Sequence, residues 1–279
     1  MAPPAFGDIG KQSRDVFGKG YHFGLVKLEV KSKTSTGLEF TAGGTSNDAG
    51  VVAGNIETKY KCSEYGISLT EKWNTDNTLN ATLDIQDKVM PGLKVTLDGN
   101  FKPNTGSVAG KLKTEYKHDR LVFATDMNLA ANPAINLNAS VGHGAWAVGY
   151  ATSFDTAKSA ITKNHFAVGY ATKEAVLHCT CNDGKTFGGG IYHRINPSLE
   201  TGVSISAALG GSAAFGVGCK YDLGPDASIR AKVDNSSKVG LSYQQKLRDG
   251  ITVTLSSNID GTKLNAPGHK LGLALEMSA

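Results

Sequence analysis

Hydrophobic and polar residues alternate one by one along most of the chain after Phe23. In the last segment one row is apolar and the row between it is polar or small: Leu271, Leu273, Leu275 and Met277 against Lys270, Gly272, Ala274 and Glu276. A period of two predicts a β-strand with one apolar and one polar face. A soluble protein would bury the leucines in a core. A membrane barrel would turn them towards lipid and turn the polar row towards a water-filled lumen.

The same alternation recurs in about nineteen segments of roughly ten residues each. Short turns rich in Gly, Asn, Asp and Pro separate them, for example at 75–77, 102–106, 182–185 and 248–250. Strands of about ten residues cross a bilayer at the tilt of a barrel, whereas strands of soluble proteins centre on about 5–6 residues. The pattern therefore favours an all-β transmembrane barrel over residues 25–279, with a soluble all-β binding protein as the alternative.

The first part of the chain, residues 1–24, follows a different period. Phe6, Ile9, Val16 and Phe17 recur at roughly helical spacing, which predicts an amphipathic helix from about Gly7 to Phe17. The glycine-containing stretch GKGYHFG that follows, residues 18–24, is expected to end the helix and join it to the barrel. Its glycines are the candidate hinge residues: Gly18, Gly20 and Gly24.

Composition narrows the class of membrane protein. The chain has 34 glycines and 8 prolines in 279 residues, and no apolar run approaches the roughly 18 residues that a transmembrane helix needs. The N-terminus has no apolar core of a secretory signal, and Asp8 and Asp15 argue against a cleaved transit peptide. The net charge of +4 decides little by itself, because the position of the charges matters more.

If the row of Leu271 faces lipid, the intervening rows line the lumen. The basic residues predicted to line it are Lys27, Lys31, Lys59, Lys61, Lys72, Lys94, Lys111, Lys113, Lys220, Arg230, Lys232 and Lys270. The acidic ones are fewer, among them Glu29, Glu57, Asp84, Asp98, Asp126 and Asp234. Excess positive charge concentrates anions over a Debye length of about 8 Å, which predicts weak anion selectivity in a wide pore. The alternative is that each lysine only solvates a wet face.

Glu71 breaks the pattern of its segment. In YGISLTEKW it falls in the row of Tyr65, Ile67, Leu69 and Trp73, which is predicted to face lipid, where a charge is costly. A functional role is one interpretation. The alternative is a residue near the membrane surface that is wetted by headgroups.

No pattern typical of an enzyme or a metal site occurs. The four cysteines, Cys62, Cys179, Cys181 and Cys219, show no paired CxxC spacing and are expected to be reduced thiols. There is no phosphate-binding loop, no HExxH motif and no Ser-His-Asp arrangement, and neither a metal nor a nucleic-acid partner is expected.

Several stretches together resemble one family over essentially the whole chain. They are DIGKQSRDVFGKGY, GLEFT, LTEKWNTDNTL, FKPNTG, NHFAVGY and HKLGLALEMSA. The most specific is YDLGPDASIRAKVDNSSKVGLSY, residues 221–243, which resembles the signature of eukaryotic porins. The sequence is therefore similar to the voltage-dependent anion channels of the mitochondrial outer membrane, in particular the animal members.

The resemblance implies a fold and a location for the helix. The family has nineteen strands, with the first and last strands parallel and the N-terminal helix inside the lumen. In that position Lys11, Arg14 and Lys19 would add positive charge where the helix narrows the pore and would contact the phosphates of ATP and ADP with low affinity. One departure stands at the joint, where family members commonly have GYGFG and this chain has His22, whose β-carbon restricts the backbone.

The resemblance also implies roles for particular residues. A proposed nucleotide-contact motif of the family matches Gly92, Leu93 and Lys94, so weak binding of ATP or NADH is expected without any bound cofactor. The glutamate matching Glu71 is linked to gating, hexokinase binding and homo-oligomer contacts. The family's assembly signal matches four residues of the C-terminus: Lys270, Gly272, Leu275 and Met277.

The expected function is a voltage-gated, weakly anion-selective diffusion pore for metabolite anions and small ions, and not an enzyme. Two other membrane functions stay open at this point. One is the related barrel that imports precursor polypeptides, which usually has a longer N-terminal extension. The other is a non-conducting scaffold that docks cytosolic partners such as hexokinase through Glu71.

Overall fold

The computed structural model describes residues 2–62, 64–265 and 267–279. These residues form one sheet of nineteen strands in which each strand pairs with its neighbours in sequence, and β1 also pairs with β19, so that the sheet closes. The predicted transmembrane barrel and its strand number are confirmed. No helix within the described ranges is long and apolar enough to cross a bilayer.

The elements follow in simple order. A short 3-10 helix spans Phe6–Asp8 and α1 spans Lys11–Gly18. The strands are β1 Leu25–Lys33, β2 Leu38–Asn47, β3 Val52–Cys62, β4 Ile67–Asn74, β5 Leu79–Gln86, β6 Leu93–Lys102, β7 Ser107–Lys117, β8 Leu121–Asn128, β9 Ala134–His143, β10 Trp146–Asp155, β11 Ala160–Ala171, β12 Ala175–Asn182, β13 Thr186–Asn196, β14 Leu199–Ala208, β15 Ala213–Asp222, β16 Ala227–Asp234, β17 Lys238–Arg248, β18 Ile251–Asp260 and β19 Lys270–Ser278.

The barrel closes through a parallel pair. β1 and β19 pair in the register Val26 with Leu273 through Lys31 with Ser278. All other neighbouring strands are antiparallel, so an odd number of strands makes the first and last run in the same direction. The closure continues past the strand ends, where the Ala279 N–H donates to the carbonyl of Lys31 at 2.9 Å. The expected parallel closure is confirmed.

The two faces of the sheet differ as the alternation predicts. On one face large apolar side chains are exposed, including Val52, Val108 and Leu271 at 74%, 76% and 75% exposure. The other face carries polar and small residues, and Ser140 and Ala274 there are only 1% exposed. A soluble protein does not expose apolar surface on this scale, because water would favour its burial. The apolar face is therefore the outer, lipid-facing surface and the polar face lines the lumen.

The N-terminal segment, residues 2–24, lies against the polar face inside the barrel. Its 3-10 helix contacts β9 and β10, and α1 contacts β12, β13, β14 and β15. Ile9 packs with Ala147 and Ala167, and Phe6 completes this small cluster. Phe6 and Ile9 approach the strand backbone closely because Gly149 has no side chain. A β-carbon on Gly149 would lie 2.8 Å from Phe6 and 2.9 Å from Ile9.

The helix differs in detail from its prediction. One continuous helix was expected from about Gly7 to Phe17, whereas the structure has two helices interrupted at Ile9 and Gly10. Gly10 adopts a left-handed conformation with φ of +72°, and its backbone lies directly on the ring of His178, with no room for a β-carbon. The break therefore has a physical reason, since only glycine allows both the backbone angle and the close approach.

Candidate functional site

The basic residues of the helix lie in the lumen with different surroundings. Lys11 forms an ion pair of 3.3 Å with Asp8, and both side chains are more than half exposed. Arg14 folds back along the chain and donates to the carbonyls of Ile9 and Gly7. Lys19 is exposed at the end of α1. The structure places all three where the lumen is narrowed by the N-terminal segment, and their contact with anions stays a prediction.

Many of the predicted lumen-lining residues form ion pairs with one another or with other residues of the wall. These ion pairs join Lys27 to Glu29 and Glu276, Lys31 to Glu29, Lys61 to Glu39, Lys94 to Asp84, Lys113 to Asp98, and Lys220 to Glu200 and Asp222, with distances from 2.5 to 3.9 Å. Because the charges of each pair largely cancel at a distance, these lysines contribute less to the field of the pore than their number suggests.

Five predicted lining lysines have no ion-pair partner within 4.0 Å among residues 2–62, 64–265 and 267–279: Lys59, Lys72, Lys111, Lys232 and Lys270. Lys232 and Lys270 lie beside the joint. In the strand register Glu57 lies opposite Lys72, and Lys111 lies between Asp98 and Asn128. Lys59, Lys72 and Lys111 lie on β3, β4 and β7, away from β12, β13, β14 and β15, the strands on which α1 packs. They are the side chains most able to give the open side of the lumen a positive potential.

The predicted nucleotide motif does not form one contact surface. Lys94 lines the lumen in a cavity of about 550 Å³ together with Lys59, Lys61 and Lys88. Leu93 is on the opposite face of β6, paired with Tyr116. The N–H of Gly92 already donates to the carboxylate of Asp87 at 2.7 Å. Of the three residues, the structure therefore brings only Lys94 into the lumen.

The joint, residues 18–24, is bound to the barrel wall by several strands. The Ser242 hydroxyl donates to the carbonyl of Gly20 at 2.6 Å, and the His22 N–H donates to the Ser256 hydroxyl at 3.0 Å. The carbonyl of His22 lies against Gly272, where no β-carbon would fit. Gly20 and Gly24 have positive φ angles of +83° and +67°. Sequence reasoning missed Ser242 and Ser256, because a serine on an inner row carries no signal of its partner.

Burial in the joint shifts two titrating groups. Burial raises the pKa of Tyr21 to about 12, with a smaller opposing effect from the guanidinium of Arg230. Burial also lowers the pKa of His22, and the charge of Lys27 lowers it further, while Glu276 opposes the change. His22 is therefore favoured as the neutral imidazole inside the folded protein.

His178 on β12 forms part of the wall surface on which the N-terminal segment packs. The residue is 8% exposed and its ring lies beneath Gly10, with Ser13, which is 1% exposed, beside it. The Nδ1 atom of His178 and the hydroxyl of Ser13 are buried and have no hydrogen-bond partner in the described part of the chain. His178 could not be singled out from the sequence, since alternation places it on the inner face but does not say which inner residues the helix covers.

The family of this chain follows from its similarity to known proteins. The sequence profile described as "Eukaryotic porin" matches residues 2–272. The chain belongs to the eukaryotic porin family. This eukaryotic porin is 52% identical to the "Voltage-dependent anion-selective channel" of Drosophila melanogaster over 100% of each chain. It is 49% identical to the "Non-selective voltage-gated ion channel VDAC1" of Homo sapiens over 99% of each chain.

Solved structures agree on the architecture. A mutant of Rh. blastica porin superposes with a TM-score of 0.50 at 8% identity, covering 91% of this porin and 95% of that chain. A likeness at such low identity concerns the fold alone. With the lipid-facing outer surface and the family membership, it supports an integral outer-membrane β-barrel protein.

Glu71 of this porin lies on the lipid-facing surface, as predicted. It is exposed in the outer row of β4 between Leu69 and Trp73, and its lateral neighbours in the register are Thr58 and Ala81. Four residues of β4 precede it and three follow it, so it is central in the strand. A position in the middle of the strand favours a lipid-exposed carboxylate over a headgroup-wetted residue at the edge of the membrane. Its roles in gating and partner binding stay predictions.

The remaining predicted residues divide between the two faces of the wall. In the C-terminal segment Lys270 and Gly272 are on the lumen side, whereas Leu275 and Met277 are in the outer row. Arg230 and Lys232 are on β16, where Arg230 lies against Gly20 of the joint and Lys232 contacts the end of α1. All four cysteines are free. Among the described residues no group of three His, Cys, Asp or Glu side chains could hold a metal ion.

Proposed function

We propose that this porin is a voltage-gated, weakly anion-selective diffusion pore of the mitochondrial outer membrane. The observation that carries the proposal is the lumen wall on which Lys59, Lys72 and Lys111 have no ion-pair partner among the described residues, opposite a helix that exposes Lys11 and Lys19. A closed barrel with a polar interior conducts by diffusion and needs no energy source.

The selectivity follows from charge and is limited by pairing. Unpaired lysines raise the local concentration of anions, and their effect extends about 8 Å at physiological ionic strength. Most acidic groups of the wall, such as Asp84 and Asp98, are held by a neighbouring lysine and oppose this field little at a distance. A wide lumen that also contains Glu57 discriminates only weakly.

The solutes are ATP, ADP, other metabolite anions and small ions. Lys19 offers a flexible ammonium group to phosphates that pass the helix. Lys11 shares its charge with Asp8 in a solvent-exposed ion pair and contributes beside it. Arg14 contributes less, since its guanidinium already donates to the carbonyls of Ile9 and Gly7. Binding of ATP or NADH is weak and transient, and no cofactor takes part. No step of transport makes or breaks a covalent bond.

Two further properties belong to the proposal. The N-terminal helix is the constriction and the gate, since it is the one helical layer inside the described barrel and joins β1 through the joint. The lipid-facing surface around Glu71 is the site for hexokinase and for a second copy of the porin, because a central carboxylate in a lipid-facing row lacks a partner within the described chain.

Efflux from proteoliposomes tests the proposed substrate class. Vesicles loaded with ATP, or with an organic cation of similar size, are prepared with and without the refolded porin. We expect the porin to release ATP faster than the cation, and protein-free vesicles to release neither. Equal or faster release of the cation would contradict anion preference. No release from verified, folded porin would instead support the scaffold function.

A further inference from the structure

The end of α1 and the joint are held by one side chain of the barrel wall. We propose that Lys232 on β16 is the positioning residue that fastens the helix to the wall and keeps the pore in its conducting state. The inference rests on the proposed pore function, but it assigns to one side chain the control of where the helix lies.

The first contact of Lys232 is with the helix itself. Its ammonium group donates to the carbonyl of Phe17 at 2.6 Å, in the last turn of α1. Carbonyl groups of the last turn have no partner within a helix and lie at its negative end. A cation at this position therefore forms a charge-assisted hydrogen bond, which is stronger than a bond between neutral groups.

The second contact is with the aromatic rings of the joint. The ammonium nitrogen lies 4.2 Å from the centre of the Tyr21 ring and 5.1 Å from the centre of the Phe23 ring. The two rings are themselves 5.3 Å apart. Distances below about 6 Å are typical of cation–π attraction, which gains strength where water is excluded.

These contacts lie on both sides of the candidate hinge. Phe17 precedes Gly18 and Gly20, whereas Tyr21 and Phe23 follow them. A bend at either glycine would separate partners that Lys232 holds together. The joint is therefore rigid while the contacts exist, and movement of the helix requires the ammonium group to leave them.

The wall fixes the side chain of Lys232 in this position. Gly240 is its partner in the register of β16 with β17. A β-carbon on Gly240 would lie 2.8 Å from Phe23 and 3.0 Å from Lys232, so the lysine stem and the ring rest directly on the glycine backbone. In residues 2–62, 64–265 and 267–279 Lys232 has no carboxylate within 4.0 Å. The N-terminal segment is thus its main partner.

Lys238 offers a matched control. It lies on the adjacent β17 and lines the same cavity of about 400 Å³ as Lys232, Phe17 and Phe23. Its ammonium group makes no hydrogen bond or cation–π contact with the described N-terminal segment. Lys232→Met and Lys238→Met each remove one positive charge from this side of the lumen. Only Lys232→Met also removes the contacts with Phe17, Tyr21 and Phe23.

The test compares both variants in planar bilayers and by hydrogen exchange in micelles. We expect both to shift the reversal potential in the same direction. Only Lys232→Met is expected to increase the population of low-conductance states at a given voltage, and the exchange of amides in residues 11–23, by about tenfold or more. Lys232→Arg keeps the cation and its donors and is expected to restore most of the wild-type behaviour.

Three results would overturn the inference. The first is an equal gating change in Lys232→Met and Lys238→Met, which would assign the effect to charge alone. The second is unchanged exchange of residues 11–23 in Lys232→Met. The third needs no variant: in the wild-type porin Lys232 is expected to react with an amine-acetylating reagent at least about tenfold more slowly than Lys238, and equal rates would contradict the fastening. A porin that does not conduct would refute the pore function, while exchange and acetylation would still test Lys232.

Discussion

At the scale of single residues, the face of each side chain was predictable and its partner was not. Alternation along β1 and β19 places Lys27 and Glu276 on the inner face. Their ion pair of 3.5 Å joins opposite ends of the chain and exists only because the barrel closes between these strands. The positive field of the lumen therefore depends on pairings that a one-dimensional pattern cannot contain.

His22 gives a prediction at this scale. Its folded pKa lies below the 6.5 of a free imidazole because burial and the charge of Lys27 both disfavour the protonated ring. Above pH 6.5 the ring is neutral whether or not the joint is docked, and docking keeps its full stability. As the pH decreases from 6.5 towards the folded pKa, the undocked ring binds a proton that the docked ring does not, so the docked joint becomes less stable. Titration of the ring by NMR in micelles, assigned with His22→Asn, measures the shift directly.

Lys27→Met is the matched change for this measurement. Removing the positive charge beside His22 is expected to raise the pKa of the ring towards its free value. A wild-type pKa at or above 6.5 would contradict the burial of His22, and an unchanged pKa in Lys27→Met would remove the electrostatic part of the argument.

At the scale of elements, periodicity predicted strands better than it predicted the helix. The alternation that predicts a strand lies within that strand's own sequence, so each strand could be predicted separately. The helix was expected to be continuous, but Gly10 interrupts it where the backbone meets the ring of His178. That contact is tertiary, and an amphipathic pattern reports which face is apolar without reporting what the face meets.

Gly190 on β13 tests how closely α1 packs on the wall. A β-carbon there would overlap the hydroxyl of Ser13 and lie 2.7 Å from the ring of His178. We expect Gly190→Ala to weaken docking of the helix by about 1–3 kcal/mol, the usual cost of overpacking. Hydrogen exchange of residues 11–18 is then expected to accelerate by about tenfold or more.

Gly99→Ala is the control for Gly190→Ala. Gly99 is on the lipid-facing row of β6, and a β-carbon there would be 3.7 Å from the carbonyl of Ala81, an ordinary contact. It is expected to leave the exchange of the helix unchanged. If Gly190→Ala behaved in the same way, α1 would not rest on this part of the wall.

At the scale of the whole molecule, the alternation of the strands was enough to predict a membrane barrel. Strands that alternate over about ten residues, repeated without a second domain, close into a barrel whose apolar face meets lipid. The parallel closure of β1 with β19 and the location of the helix came from the resemblance, because they depend on the strand count and on contacts between distant parts of the chain. The structure agrees with both, and it adds the joint contacts of Ser242, Ser256 and Lys232.

The reversal potential of refolded porin in a planar bilayer under a KCl gradient is the most direct test of the whole account. We predict the sign of an anion-selective pore. Replacing Lys59, Lys72 and Lys111 together with Gln is predicted to move the potential towards zero, because it removes unpaired lumen charge.

The control replaces Lys158, Lys173 and Lys185 with Gln, which removes the same net charge from turns between strands. It is predicted to leave the potential near its wild-type value. A cation-selective wild-type pore, or equal shifts in the two triple variants, would contradict the claim that lysines lining the lumen set its selectivity.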